Sequence, residues 1–560
     1  MLLRWRESRI FTAKKVRMKN YLISLVQQAL GKITSETALP EVTIEKPRSP
    51  EHGDAATNIA MLLAKQLRNN PRAIAQQIVD NLEYDSNYIS GVEIAGPGFI
   101  NFRIAPGLLH QQLETIRQVG ADFGKTAAYS DSKIQVEFVS ANPTGPLTVG
   151  HGRNAVLGDT VARLFEWCGA EVDREYYFNN AGRQMRVLGE SVRARYLELV
   201  GDKPEWPEGG YEGEYIKNVA EDLKNKHGES LRDQKDVTPF KEAAEEAIFR
   251  DIQQTLKRMH IEMDQYFNEY SVYKSGDVDR VVKQLREKNL AYDQDEAVWF
   301  KTTEFGKDKD TVLVKNTGEP TYRLPDIAYH QDKLDRGYDL CIDVLGADHI
   351  DTFPDVLSGL EALGYDKNKV EALVYQFVTL TKDGKPYKMS TRKANFVTLD
   401  ELMDEVGEDV TRFFFLMRSP NTHLEFDIGE AKEAGEKNPV YYLQYAHARI
   451  HSIKRKFKDT EASSAEIDFN LLTHDSELKL IKTLIDLPEV VVLATENREP
   501  HRLINYLNEV AASFHKFYHD CRIIGEDNNL AASRMALLET VALVMNNGLT
   551  ILGISAPEKM

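Results

Sequence analysis

The hydrophobic pattern changes period along the chain. "NYLISLVQQALGKI" (20–33) and "AATNIAMLLAKQL" (55–67) repeat apolar residues at helical spacing. The second run follows the turn-prone "SPEHGD", which places Asp54 to cap the helix. "VEIAGPGFINFRI" (92–104) alternates instead, and its Gly-Pro-Gly centre predicts two strands joined by a turn. Residues 18–127 therefore read as a small α+β unit.

Further on, "KIQVEFVS" (133–140) is a short β-rich run. After a loop, Leu157, Val161, Leu164, Phe165 and Cys168 share one helical face, Gly169 closes the helix, and "VDREYYF" (172–178) is strand-like. Strand, loop, helix, strand predicts a βαβ unit and a parallel sheet. Residues 183–300 read as a charged helical insertion, broken at "PEWPEGGYEGEY" (204–215). The sheet resumes at "YDLCIDVLGADH" (338–349) and "VEALVYQFVTLT" (370–381), and from Glu433 onward the pattern is helical. The expected architecture is an N-terminal α+β domain (18–127), an α/β Rossmann-like catalytic domain (128–432) and an all-α C-terminal domain (433–560). There is no internal repeat, and no apolar run approaches the roughly 18 residues needed to span a bilayer.

Composition narrows the class. The 560 residues suggest three or four domains. With 42% apolar and 28% charged residues the chain is globular rather than disordered or fibrous. Three scattered cysteines, Cys168, Cys341 and Cys521, argue against a disulfide framework or a zinc site, and fit a reducing, cytoplasmic setting. A net charge of −17 argues against indiscriminate nucleic-acid binding but leaves room for a local basic groove. Residues 1–17 are basic, with Glu7 the one acid. We favour a dispensable extension, with Met18 as an alternative start, over a targeting peptide.

Two segments carry the chemistry. "ANPTGPLTVGHGRN" (141–154) follows the first strand of the βαβ unit, where open sheets bind ligands. Gly150 and Gly152 let a ligand approach the backbone, and the helix start favours a phosphate. His151 can donate a hydrogen bond to it. The plainer reading, a Gly/Pro turn with a capping histidine, must also account for a second motif. That motif, "GKPYKMSTRKANF" (384–396), crowds Lys385, Lys388, Arg392 and Lys393 into one turn. Alone it would pass for a solvated basic loop. "GADFGKT" (120–126) has the wrong spacing for a phosphate loop and no strand before it.

Together, "TVGH" (148–151) resembles the HIGH signature and "KMSTR" (388–392) the KMSKS signature of class I aminoacyl-tRNA synthetases. "VEFVSANPTGPLTVGHGRNAVLGD", "YYFNNAGRQM", "DIAYHQDKLDRGYD", "GADH", "NPVYYLQYAHARI" and the terminal "LGISAPEKM" further resemble the arginyl-tRNA synthetase family of bacterial type. The resemblance implies ATP-dependent ligation of L-arginine to its cognate tRNA through an arginyl-adenylate. Magnesium would accompany ATP, and no protein-bound zinc is expected. It assigns ATP to Gly150, His151, Gly152, Lys388, Met389 and Ser390, with His151, Lys388 and Thr148 catalytic. It places Tyr322 and Asp326 on the guanidinium, flanked by Glu137, Ser140, Asn142 and His349. A planar cation with five donors does need such carboxylates and acceptors. Without the family match, Tyr322 could be core, Asp326 a helix cap and Glu137 a solvent-facing residue. The C-terminal domain resembles an anticodon-binding domain, with Arg449, Lys454, Arg455 and Lys456 for phosphates and Tyr441 and Tyr445 for bases. Helix packing is a rival reading for the tyrosines. Kinship also implies a tRNA elbow contact from the N-terminal domain and a need for tRNA during activation. A cytoplasmic monomer without membrane contact is expected.

Thr148 stands where HIGH has its first histidine, and Thr391 where KMSKS has its second lysine. Gly145 occupies the place of a compensating lysine found in some arginyl enzymes. Lys385 or Arg392 is the expected substitute cation, and Thr148 is expected to contribute hydrogen bonding or packing alone. These losses leave two alternatives: a catalytically weakened tRNA-binding paralogue, or a class I synthetase for another amino acid.

Overall fold

A computed structural model describes residues 18–34, 39–47, 49–347, 350–382, 384–387, 397–433, 435 and 438–560. The basic extension, His349 and the Lys388–Ser390 motif lie outside the described residues.

Helix α1 (Met18–Ile33) buries Leu22, Leu25, Val26, Ala29 and Leu30, the face its periodicity predicts. The next stretch departs from its helical pattern. Residues 55–57 form strand β1 (Ala55–Thr57), and helix α2 (Ile59–Leu63) starts later than expected. Asp54 does not cap that helix. Its carboxylate accepts the Ile104 N–H at 2.8 Å and meets Lys482 Nζ at 2.5 Å, tying the edge of this unit to the C-terminal bundle. After α3 (Pro71–Asp80), strands β2 (Ile89–Ala95) and β3 (Phe99–Ile104) complete an antiparallel sheet of order β1-β3-β2. Helix α4 (Pro106–Val119) then leads out of the unit.

The central sheet is parallel throughout, with its strands in the order β11 (Val370–Tyr375), β10 (Leu340–Gly346), β4 (Lys133–Glu137), β5 (Glu171–Phe178) and β6 (Gln265–Asn268). Its first unit is β4 (Lys133–Glu137), α5 (Val149–Trp167) and β5 (Glu171–Phe178). The expected helical insertion begins with α6 (Gly182–Leu199), α7 (Glu214–His227) and α8 (Thr238–Arg258). It is not wholly helical, because it contributes β6 (Gln265–Asn268), the edge strand of the main sheet. Four residues bounded by helices give too short a signal for the alternation to register. Helices α9 (Tyr270–Lys274) and α10 (Asp277–Glu287) and a separate antiparallel sheet follow: β7 (Ala291–Gln294), β8 (Ala297–Phe300) and β9 (Thr311–Val314). Helix α11 (Arg323–Asp335) returns the chain to the sheet through β10 (Leu340–Gly346), α12 (Phe353–Leu363) and β11 (Val370–Tyr375). Strand order reverses between β4 and β10, so a crevice opens at their carboxyl ends.

Strands β12 (Val378–Lys382), β13 (Lys385–Pro386) and β14 (Leu424–Asp427) form a small sheet beside helices α13 (Leu399–Val406), α14 (Glu408–Leu416) and α15 (Ile428–Lys432). The remainder is a helical bundle: α16 (Pro439–Phe457), α17 (Asp475–Ile485), α18 (Leu487–Asn497), α19 (His501–Asp520) and α20 (Asn528–Leu552). Contrary to the sequence reading, α20 is long and apolar enough to cross a membrane, but 78% of its apolar window is buried inside the protein. It is the core helix of the bundle. Buried charge welds this bundle to the sheet. Asp159 on α5 lies 2.6 Å from Arg412, 2.8 Å from Arg163 and 3.3 Å from Arg174, while Arg412 Nε donates to the Leu552 carbonyl of α20 at 3.0 Å.

Candidate active site

The helix start that carries "TVGH" is built by reciprocal capping. Thr148 is the N-cap of α5, and its Oγ1 accepts the His151 N–H at 3.4 Å. In return His151 Nδ1 accepts the Thr148 N–H at 3.1 Å. An accepting Nδ1 leaves the ring proton on Nε2, so the imidazole keeps one donor free for a ligand. Burial lowers the pKa of His151, so the ring is neutral at physiological pH. The two glycines differ. A Cβ on Gly150 would meet nothing closer than Thr148 Oγ1 at 3.6 Å, whereas one on Gly152 would lie 2.6 Å from Leu399 and 2.9 Å from Phe415. Gly152 is therefore a packing glycine that seats α5 against α13 and α14, and not an opening toward a ligand as its sequence suggested.

The neighbourhood is held from behind by buried residues the sequence reading passed over. The Asn154 side chain accepts the Val139 N–H at 2.6 Å and donates to the Val344 carbonyl at 2.8 Å, bridging the ends of β4 and β10. It steadies a strained backbone: Val139 has φ 68° and Ser140 φ 43°, a region that β-branched residues rarely enter. Arg153 is buried and donates to the carbonyls of Gln376, Ser419 and Thr422. Among the described residues no carboxylate lies beside it, and burial pulls its pKa down to about 10. Thr148 also forms a backbone bridge with Thr398, and the Leu399 N–H donates to the Leu147 carbonyl at 2.8 Å. The chain leaving the basic motif thus runs beside the cap of α5. Lys385, the first lysine of that motif, lies exposed in β13.

A second group of predicted residues converges on the crevice. Glu137 does not face solvent. It is buried at the end of β4, 2.6 Å from the Lys333 ammonium, and accepts the Ser140 hydroxyl at 2.9 Å. Ser140 Oγ accepts in turn from the Tyr177 N–H at 3.2 Å. Asn142, exposed, accepts the Asn179 N–H at 2.9 Å and donates to Gln184 at 3.3 Å. Asp326 is half-buried in the first turn of α11. Tyr322, one turn before it, is 81% exposed, which excludes the core reading.

Sheet register lines up Asp343, Glu137 and Glu175 in one row across β10, β4 and β5. The cations answering that row come from α11, where Lys333 bridges Glu137 and Asp343 and Arg336 meets Glu175 at 2.5 Å. Asp326 is left out of this pairing. No side chain among the described residues hydrogen-bonds its carboxylate. Burial, with Glu137, Glu269 and Asp343 nearby, pushes its pKa up to about 7. Glu269, just beyond β6, receives the Tyr177 hydroxyl at 2.7 Å and the Asn179 amide at 2.8 Å, both neutral donors. Burial raises its pKa as well. Sequence reasoning missed Glu269 because its strand lay inside the supposed helical insertion. Two undercompensated carboxylates in one crevice form a receptor for a compact, donor-rich cation.

The expected tRNA-binding residues cluster on α16. Tyr441 and Tyr445 stack on each other with centroids 6.0 Å apart and planes 9° from parallel. Arg449 donates to the Tyr445 hydroxyl at 2.8 Å and lies over Tyr518. Lys454 pairs with Glu539 at 2.8 Å, Arg455 reaches the Glu558 carbonyl at 3.3 Å, and Lys456 is exposed.

A parallel sheet with its ligand crevice at the switch point, a capped histidine at the first helix and a helical bundle behind define a class I aminoacyl-tRNA synthetase. Family models agree and refine the class. The arginyl tRNA synthetase N terminal domain matches residues 20–104, the tRNA synthetases class I (R) catalytic domain residues 115–423, and the DALR anticodon binding domain residues 443–560. The chain is 52% identical to the arginine--tRNA ligase of Salinibacter ruber over 97% of its own length and 100% of that protein. It is 51% identical to that of Desulfotalea psychrophila, over 94% and 96%. Its fold matches the Thermus thermophilus arginyl-tRNA synthetase with TM-score 0.75 at 22% identity, over 97% of this chain and 100% of that one. The chain belongs to the arginyl-tRNA synthetase family.

Proposed function

We propose that the chain ligates L-arginine to its cognate tRNA in two steps. The observation that carries this reading is Asp326, a half-buried carboxylate that no side chain among the described residues hydrogen-bonds, next to Glu269 and above a floor of charges already paired. A guanidinium supplies the missing charge and donors. The arginine carboxylate oxygen attacks the α-phosphorus of ATP, the bond to the bridging oxygen breaks, and pyrophosphate leaves. The terminal ribose hydroxyl of the tRNA then attacks the adenylate carbonyl, forming the ester and releasing AMP. Positioning and charge stabilisation dominate such a reaction.

Each candidate residue takes one role in this reaction. Asp326 and Glu269 receive the guanidinium, with Tyr322 alongside; Glu137 and Ser140 shape the pocket wall, and Asn142 reaches toward the amino acid. His151 donates its Nε2–H to a phosphate oxygen, beside the open backbone of Gly150, and Thr148 orients that ring. Lys388 neutralises the charge that develops on the phosphates, with Met389 and Ser390 beside it; magnesium arrives with ATP as part of the substrate complex. His349 contacts the substrate. Residues 18–127 contact the tRNA body, 128–432 carry the chemistry and 433–560 read the anticodon, with Lys456, Arg449, Arg455 and Lys454 near phosphates and Tyr441 or Tyr445 against a base. The protein works as a cytoplasmic monomer.

Transfer of labelled arginine to tRNA tests the reading. The wild-type chain should charge tRNA with arginine, and His151→Ala should charge about 10²-fold more slowly. Equal rates for the two proteins would remove His151 from the site.

A further inference from the structure

The floor beneath Asp326 is a chain of buried charges. Lys333 is wholly buried, 2.6 Å from Glu137 and 2.6 Å from one oxygen of Asp343. The other Asp343 oxygen lies 2.6 Å from His330 Nε2, and His330 Nδ1 lies 2.7 Å from the backbone carbonyl oxygen of Asp326. A carbonyl oxygen can only accept, and a carboxylate bound by an ammonium can only accept as well. Each ring nitrogen therefore carries a proton, and His330 is an imidazolium. Burial opposes that charge, but Asp343 outweighs it and the pKa of His330 is raised. Asp343 is held well below the usual carboxylate range, against its burial, by Lys333 and His330.

The charged groups facing the ring are Asp343 from β10 and Lys333 and Asp326 from its own helix. From α12 the neighbour is the ring of Phe353, while Asp355 of that helix is closed off by Arg323 and Lys307. Glu137 and Glu175, on β4 and β5, are answered by Lys333 and Arg336. Two anions and two cations make the floor neutral. His330 is the cation that opposes the push of Glu137, Glu269 and Asp343 on Asp326.

Resting on the arginine reading above, we propose that His330 is a positioning residue for the substrate guanidinium. Its imidazolium favours the ionised Asp326 carboxylate and anchors the helical turn that carries it, without touching the substrate. A buried histidine on a helix would otherwise pass as a satisfied core residue. Here the second protein acceptor on its ring makes it a fixed charge one turn below the specificity carboxylate.

The test compares arginine with citrulline, its neutral near-isostere, on the full chain. ATP–pyrophosphate exchange with tRNA present gives the arginine KM, and competition gives the citrulline Ki, for wild type and His330→Gln between about pH 6 and 9. The arginine KM should rise about fivefold near pH 7, approaching tenfold toward pH 6, and the midpoint of its pH profile should move upward, since a midpoint one pH higher leaves about a tenth as much Asp326 ionised well below it. The citrulline Ki should change by less than about twofold, because a neutral ligand gains nothing from an ionised Asp326. An unmoved arginine KM and midpoint, or an equal loss for both ligands, would overturn the proposal. If His330→Gln does not fold, His330→Asn removes the same charge with a smaller side chain, and the same two readings apply. Absence of arginine exchange in the wild type would contradict the functional reading itself; normal wild-type exchange with an unshifted variant contradicts the role of His330 alone.

Discussion

Thr148 and His151 hold each other at the first turn of α5: the Thr148 N–H donates to His151 Nδ1 at 3.1 Å, and the His151 N–H to Thr148 Oγ1 at 3.4 Å. The threonine that replaces a histidine of the family signature is thus the cap of the helix that presents the remaining one. Thr148→Ser should retain activity. Thr148→Val keeps the shape but loses the cap, worth about 1 kcal/mol, so exchange should slow about fivefold. An undiminished rate in Thr148→Val would show that the cap does not orient His151.

Gly150 and Gly152, two residues apart, should respond oppositely to alanine. At Gly152 the new methyl runs into Leu399 and Phe415, so Gly152→Ala should destabilise the protein by about 1–3 kcal/mol in thermal unfolding. At Gly150 the space is open, and Gly150→Ala should leave stability within about 1 kcal/mol. Its effect should fall on ATP KM instead.

Asp326 predicts a pH dependence with a definite sign. Its folded pKa, pushed up to about 7, exceeds the unfolded value, so the fold binds the extra proton between the two. The stability this group contributes is lost as pH rises from about 4 to 7. A bound guanidinium favours the ionised form. Arginine binding should therefore release a proton below about pH 7, and kcat/KM for arginine should rise with pH to a plateau near there. Titration calorimetry at about pH 6.5 in buffers of different ionisation enthalpy measures the proton directly. Asp326→Asn should abolish its release and lower kcat/KM for arginine about 10²-fold, leaving ATP KM nearly unchanged.

The Asp159–Arg412 pair joins the sheet to the end of α20 with both side chains buried. Arg163 and Arg174 also lean on Asp159. Asp159→Asn leaves the buried Arg412 guanidinium without its carboxylate, while Arg174 keeps Glu166, and should cost about 3–5 kcal/mol, read as a lower unfolding midpoint. A midpoint within a degree of wild type would show that the junction carries no such load.

Motif-scale features were readable in the sequence because each is local. The strands and helix of the βαβ unit and the Gly-Pro-Gly hairpin each announce themselves within a short stretch of chain. What escaped depends on partners far along the chain. Gly152 looked like a ligand opening because the residues that fill its space lie about 250 positions away, at Leu399 and Phe415. Without the family resemblance Glu137 could pass for solvent-facing, because alternation cannot reveal that Lys333 closes over it. Residues 55–57 kept a helical pattern, yet pairing with β3 made them a strand, and tertiary contact overrode local preference. Glu269 was hidden by the brevity of β6.

The central claim is that this crevice selects arginine. ATP–pyrophosphate exchange screened against all twenty amino acids, with and without tRNA, tests it most directly. Arginine should drive exchange at least about 10²-fold faster than any other amino acid, with tRNA present, because the others lack a planar cation to satisfy Asp326 and Glu269. Exchange led by another amino acid, or none above background with arginine and tRNA together, would contradict it.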